Sequence, residues 1–134
     1  MRPEVKWWID AGERDLRAAS ELYRAGLFEG TAFHCQQAAE KFLKGLLVAA
    51  GGLSQRSHSC VRLLSALGRS GITPPGEVAT ACRRLDPHYV DARYPNGVGG
   101  APEEFYDATI AEALLGDAET VRSFVRVTLE NLGR

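Results

Sequence analysis

The chain has 134 residues, 45% hydrophobic and 25% charged, with a net charge of −1 and a pI near 6.3. That length fits one domain over residues 1–134, and the near-neutral charge excludes nucleic-acid binding through bulk charge while leaving a local basic patch open. No apolar run reaches the ~20 residues of a membrane span, no signal-peptide pattern precedes Trp7, and Cys35, Cys60 and Cys82 lack any disulfide or zinc spacing, so a cytoplasmic protein is expected.

A first helix is predicted from Pro3, which suits a first turn, to Gly26, with Glu4 favourably placed against the helix dipole. Val5, Trp8, Ile9, Leu16, Ala19 and Tyr23 repeat at helical spacing, and Trp7 and Trp8 are expected to supply core bulk, with a partner surface as the alternative. A second helix runs from Phe28 or Glu29 to Ala50. Cys35, Ala39, Leu43, Leu46 and Ala50 form its apolar stripe, as an ordinary surface helix would show. Gln37, Glu40, Lys41 and Lys44 fall on another side, with Glu40 and Lys44 in the favourable i,i+4 order. Gln36 lies beside the stripe, where a buried amide must find hydrogen-bond partners or destabilise the fold. Cys35 and Cys82 read as small core residues.

Two short helices are predicted next, from about His58 to Leu67 and from about Pro75 to Leu85, separated by Gly71 and Pro74-Pro75. Asn96-Gly97-Val98-Gly99-Gly100-Ala101-Pro102 is the clearest loop. It lacks the Lys and Ser/Thr of a P-loop and follows no strand, so it reads as a linker. The last helix carries Ile110, Leu114, Ala118, Val121, Val125, Thr128 or Leu129, and Leu132 at three- and four-residue steps, with Thr109-Ile110-Ala111-Glu112 as its capping box. No segment alternates as a strand. The expected fold is all-α, a bundle of about five helices.

Three segments carry a resemblance. Gln36-Gln37-Ala38-Ala39-Glu40-Lys41-Phe42-Leu43-Lys44 resembles the signature helix of the HEPN family (higher eukaryotes and prokaryotes nucleotide-binding). Ser57-His58-Ser59-Cys60-Val61-Arg62-Leu63 resembles the family's His-x-x-x-x-Leu opening of a third helix. Leu85 to Pro95 is similar to the Leu-x-x-x-Tyr-x-x-x-Arg-Tyr-Pro segment of one prokaryotic subgroup. The resemblance implies a helical bundle, a homodimer, and binding of nucleotide or RNA. Proteins of this subgroup are commonly associated with a minimal nucleotidyltransferase, in pairs that behave as toxin and antitoxin. Nothing in this chain resembles the Gly-Ser and paired-carboxylate site of that transferase, so transferase chemistry would belong to a partner chain.

Many HEPN proteins are also metal-independent ribonucleases with an Arg-x(4–6)-His motif assembled across a dimer. An Arg holds phosphate with two hydrogen bonds, and a His near neutral pKa moves the 2′-hydroxyl proton. Arg83-Arg84-Leu85-Asp86-Pro87-His88 satisfies that spacing and makes Arg83 and His88 the catalytic candidates. Arg84, however, stands where a polar residue usually follows the Arg. The match precedes Arg93-Tyr94-Pro95 instead of opening the last helix, and Pro87 breaks the helical face. The other reading of the pair is helix-end solvation and capping.

Arg93 and Tyr94, held by the rigid Pro95 and joined by Lys41 and Lys44, form a candidate site for nucleotide or RNA phosphate. The alternative is that Arg93 pairs with a carboxylate such as Glu40 while Tyr94 closes the core. His58 reads as a structural histidine that caps backbone groups or bonds to Gln36 or Gln37, and with Glu40 these make a structural polar set. The three histidines have no zinc spacing, and neither metal nor cofactor is expected. Two functions follow: a nucleotide- or RNA-binding module paired with a nucleotidyltransferase, or a homodimeric HEPN ribonuclease.

Overall fold

Helix punctuation in this chain is set by three glycines. In the computed structural model, which describes residues 2–52, 56–95 and 99–133, Gly26, Gly51 and Gly71 each follow a helix C-cap with φ between 76° and 88°. After each, the next amide reaches back into the last turn of the helix: Leu27 to the Leu22 carbonyl, Gly52 to Leu47 and Ile72 to Leu67, at 2.9–3.0 Å. Only a left-handed residue closes that pattern without strain, so glycine is demanded. The helices so bounded are α1 (Pro3–Arg24), α2 (Phe28–Ala49) and α3 (Cys60–Arg69). They are followed by α4 (Gly76–Leu85), a single turn α5 (His88–Asp91), a 3-10 turn (Pro102–Glu104) and α6 (Ala108–Leu132), with no strand among the described residues.

The second helix is the centre of the molecule rather than a surface helix. Fourteen of its residues, from Thr31 to Val48, are buried, including Gln36, Glu40 and Lys44. α1, α3 and α6 pack against it, and α4 bridges α3 and α6. The α1–α2 interface is the most extensive. It is close because α1 presents Gly12 to the ring of Phe42, where a Cβ would lie 2.8 Å from Cε1. Phe42, Leu43, Leu46, Leu63, Leu67, Leu85, Val121 and Val125 are fully buried, and Cys35, Cys60 and Cys82 join them as free thiols.

Several sequence expectations are corrected. Trp7 is 67% exposed and does not pack in the core; only Trp8 is half-buried. α3 starts at Cys60, with Ser59 as its N-cap instead of His58. The cap of α6 is Asp107, whose carboxylate accepts from the Ile110 amide at 2.8 Å, so Thr109 opens no capping box. The expected loop falls partly on residues 96–98, outside the described residues. No helix described is long and apolar enough to cross a membrane.

Candidate functional site, a basic and aromatic face

Glu40 on α2 is 3% exposed and organises the polar residues around it. Its Oε2 accepts from Lys44 Nζ at 3.0 Å. Its Oε1 accepts from Gln36 Nε2 at 3.3 Å and Gln37 Nε2 at 3.5 Å, and lies 3.1 Å from His58 Nδ1. Gln36 also donates to the His58 carbonyl at 2.9 Å, and Gln37 donates to Gln36 Oε1 at 2.7 Å. Among the described residues no buried side-chain polar atom lacks a partner, which is what a polar cluster in a core requires. Lys44, with the Trp8 ring 5.3 Å away, is thereby a buried counter-ion and not a surface phosphate ligand.

The network delivers the His58 ring to the surface, 52% exposed. There it stacks on Tyr89 of α5, with centroids 4.3 Å apart and 12° between planes. The Arg93 guanidinium lies 4.4 Å from the same Tyr89 ring, 4.8 Å from Phe33 and 4.9 Å from Tyr94. Its Nε donates to the Tyr89 carbonyl at 2.8 Å. Arg93 is exposed and pairs with no carboxylate among the described residues, so the Glu40 salt bridge is absent. A cation held on ring faces keeps its charge and its remaining N–H donors for solvent or a ligand. Tyr94 is 48% exposed and does not close the core.

Lys41 does not join this group. It pairs with Asp15 of α1, whose other oxygen lies 2.8 Å from His34 Nδ1. Burial alone would raise the Asp15 pKa, but the hydrogen bonds and charges of His34 and Lys41 outweigh it and hold the carboxyl below its ordinary value. These three residues lock α1 to α2.

Arg83 and His88 are not brought together within the chain. Arg83 donates to Thr80 Oγ1 at 3.1 Å, while His88 Nδ1 lies 2.6 Å from the Tyr106 hydroxyl. Burial lowers the His88 pKa against the opposing charges of Asp91 and Asp117. Burial and then the Asp91 charge push Tyr106 up to about 12. Burial thus favours the neutral imidazole and the protonated hydroxyl, and the imidazole tautomer sets which of the two donates across this contact. Arg84 forks onto Asp117 of α6, with Nε 2.9 Å from Oδ2. Asp86 accepts from the Ser59 hydroxyl at 2.7 Å and from the amides of Cys60 at 2.7 Å and Val61 at 3.2 Å. It thereby caps α3 from across the fold.

Cys35 and Cys60 are buried and not poised as nucleophiles. Burial, then the Asp117 charge, raises Cys35 to about 12. The Cys82 thiol and burial push Cys60 well up. No cluster among the described residues could hold a metal.

Sequence reasoning did not single out Phe33, Tyr89, Asp15, Asp86 or Tyr106. Asp86 and Tyr89 lie inside the Leu85–Pro95 segment, but all five are joined to their partners only by the tertiary fold.

The HEPN domain family model matches residues 5–128. The chain is 31% identical to TT1696 from Thermus thermophilus, with a TM-score of 0.85 over 91% of this chain and 95% of that one. It is 33% identical to ST0689, described as an archaeal HEPN homologue, with a TM-score of 0.80 and coverage of 93% and 97%. An HEPN domain protein (tm0613) from Thermotoga maritima is 28% identical, with a TM-score of 0.74 and coverage of 92% and 97%. A search of curated proteins finds no match. With a family model spanning nearly the whole chain and an HEPN homologue sharing both its fold and a third of its residues, this protein belongs to the HEPN domain family.

Proposed function

We propose that this HEPN protein binds nucleotide or RNA on its Arg93–Tyr94 face, acts as a homodimer, and pairs with a minimal nucleotidyltransferase in a prokaryotic two-component, toxin–antitoxin-like system. The observation that carries the binding claim is the exposed Arg93 guanidinium seated among the rings of Phe33, Tyr89 and Tyr94. Such a group offers fork-shaped donors for phosphate, and the half-exposed Tyr94 offers a face for a base. Lys41 and Lys44 take no part, because each is engaged by a carboxylate. The partner and the dimer rest on the family resemblance of the Gln36–Lys44 and Leu85–Pro95 segments.

A ribonuclease working through Arg83 and His88 is the second reading. It requires a partner protomer to complete the pair, since within one chain each residue is bonded elsewhere. Binding of a labelled nucleotide and of the partner protein, measured on variants, separates the two. Arg93→Ala and Tyr94→Ala are expected to weaken ligand binding by about 5- to 150-fold, the worth of ~1–3 kcal/mol for one stacked base. His88→Ala is expected to bind like wild type. Wild-type binding by both Arg93→Ala and Tyr94→Ala would refute the assigned face, and loss of RNA cleavage on His88→Ala would install the nuclease.

A further inference from the structure

The aromatic face borders a groove that is basic along α3 and whose Ser65 and Arg69 lie beyond the motifs above. The His58–Tyr89 stack opens on a cleft of about 530 Å³ that Arg62 also lines. A second cleft of about 450 Å³, lined by Ser57, Arg62, Ser65 and Arg69, shares Ser57 and Arg62 with the first. Arg62, Ser65 and Arg69 stand at three- and four-residue steps on α3, hence on one face of that helix, and all three are exposed. Neither arginine is in an ion pair among the described residues. Asp86, the acidic residue nearest the turn into α3, has its oxygens occupied by the Ser59 hydroxyl and two α3 amides. Asp86 and Asp91 both line the first cleft, so the uncompensated positive charge lies on the second, between Arg62 and Arg69, which no carboxylate lines.

We infer that this groove is a track for a single-stranded phosphodiester chain, with bases on the Tyr94 and His58 rings and successive phosphates on Arg62 and Arg69. The inference rests on the Arg93–Tyr94 reading and adds to it a direction and a length. Arg62 and Arg69 are seven positions apart on α3, a rise of about 10 Å, room for two phosphates side by side. A ligand that uses the whole row together with the Arg93 face therefore carries more than one phosphate. Rings for base faces and unpaired arginines for the backbone are the two parts that sequence-tolerant single-strand binders combine.

The test is fluorescence anisotropy with labelled oligo(U) and oligo(dT), each as a dinucleotide and an 8-mer, over a salt series. Wild type is expected to bind the 8-mer at least about tenfold more tightly than the dinucleotide. In Arg62→Gln/Arg69→Gln the 8-mer falls to the dinucleotide level, and the log–log salt slope drops by about 1.4, two phosphates at about 0.7 each. Dinucleotide binding stays with Arg93 and is lost in Arg93→Gln. Arg14→Gln/Arg17→Gln, the same charge change on α1, leaves the 8-mer affinity unaltered. Comparing the two polymers tells RNA from DNA, and the track requires the α3 variant to weaken whichever is bound. It is overturned by an 8-mer no tighter than the dinucleotide, by an α3 variant that binds like wild type, or by an equal loss in the α1 control. Those results leave the Arg93 reading standing on the dinucleotide, whereas an Arg93→Gln variant that binds both oligomers like wild type overturns that reading and the track built on it.

Discussion

Replacing Glu40 by Gln keeps the shape of the side chain and removes the only carboxylate that faces Lys44 among the described residues. Both side chains are almost wholly out of water, at 4% and 8% exposure, so the remaining ammonium has no solvent to turn to. Whichever way the new amide turns, its nitrogen meets a donor, that of Lys44 on one side or those of Gln36 and Gln37 on the other. Breaking one half of a buried ion pair costs about 3–5 kcal/mol. Unfolding entropy of about 2.1 cal/mol/K per residue over 134 residues converts that to a fall in Tm of about 11–18 °C. The contact to His58 adds little, because that ring is half in solvent. Glu40→Gln/Lys44→Met removes both charges and is expected to recover most of the loss, since buried pairs replaced by apolar groups are often neutral. Thermal and urea unfolding of the three proteins provide the comparison. A loss below about 1 kcal/mol in the single variant, or a double variant no more stable than the single one, would refute the reasoning.

Asp86→Ala removes the acceptor of three hydrogen bonds at the start of α3 and is expected to destabilise the fold by about 1–3 kcal/mol; unchanged urea midpoints and unchanged amide exchange at Cys60 and Val61 would contradict this. Gly12→Ala places a methyl 2.8 Å from the buried Phe42 ring, so the gain in helix propensity of about 1 kcal/mol is expected to be outweighed by overpacking, and a variant more stable than wild type would show the α1–α2 contact to be looser than described. Burial holds His88 below 6.5, so as pH falls through 6.5 the unfolded chain takes up the proton first and the native state loses stability down to the depressed folded value. The fall in urea midpoint between about pH 7.5 and about pH 5.5 is expected to be smaller in His88→Gln than in wild type, and an identical fall in both would remove His88 as its source.

The helices were legible because their signals are local. Pro3, Gly26 and Pro74-Pro75 bound α1, α2 and α4 within a residue or two, and the apolar steps of the last helix recur in its buried residues. What eluded the sequence depends on packing. Glu40 and Lys44 at i,i+4 look like a solvated surface pair, and only the helices laid against α2 bury them. Trp7 and Trp8 are neighbours about 100° apart on a helix, so one register choice puts a single ring inward, and composition does not make it. Asp107 and Thr109 both suit an N-cap; the extended backbone at Asp107 decides between them. The Arg-Tyr-Pro segment pointed to the functional face, but the ring of Phe33 comes from a helix some 60 residues earlier. The partnership of Asp15 with Lys41 and His34 spans 26 and 19 residues and leaves no periodic trace.

The most direct test of the proposed function is affinity purification of the tagged protein from its own cells, with co-purified proteins read by mass spectrometry and bound RNA by sequencing. A two-component binding module is expected to bring down a small nucleotidyltransferase in stoichiometric amount, and bound nucleotide or RNA that is lost in Arg93→Ala. Recovery of a homodimer alone, cleaving RNA until His88 is replaced, would contradict the binding-module reading and make the protein a nuclease.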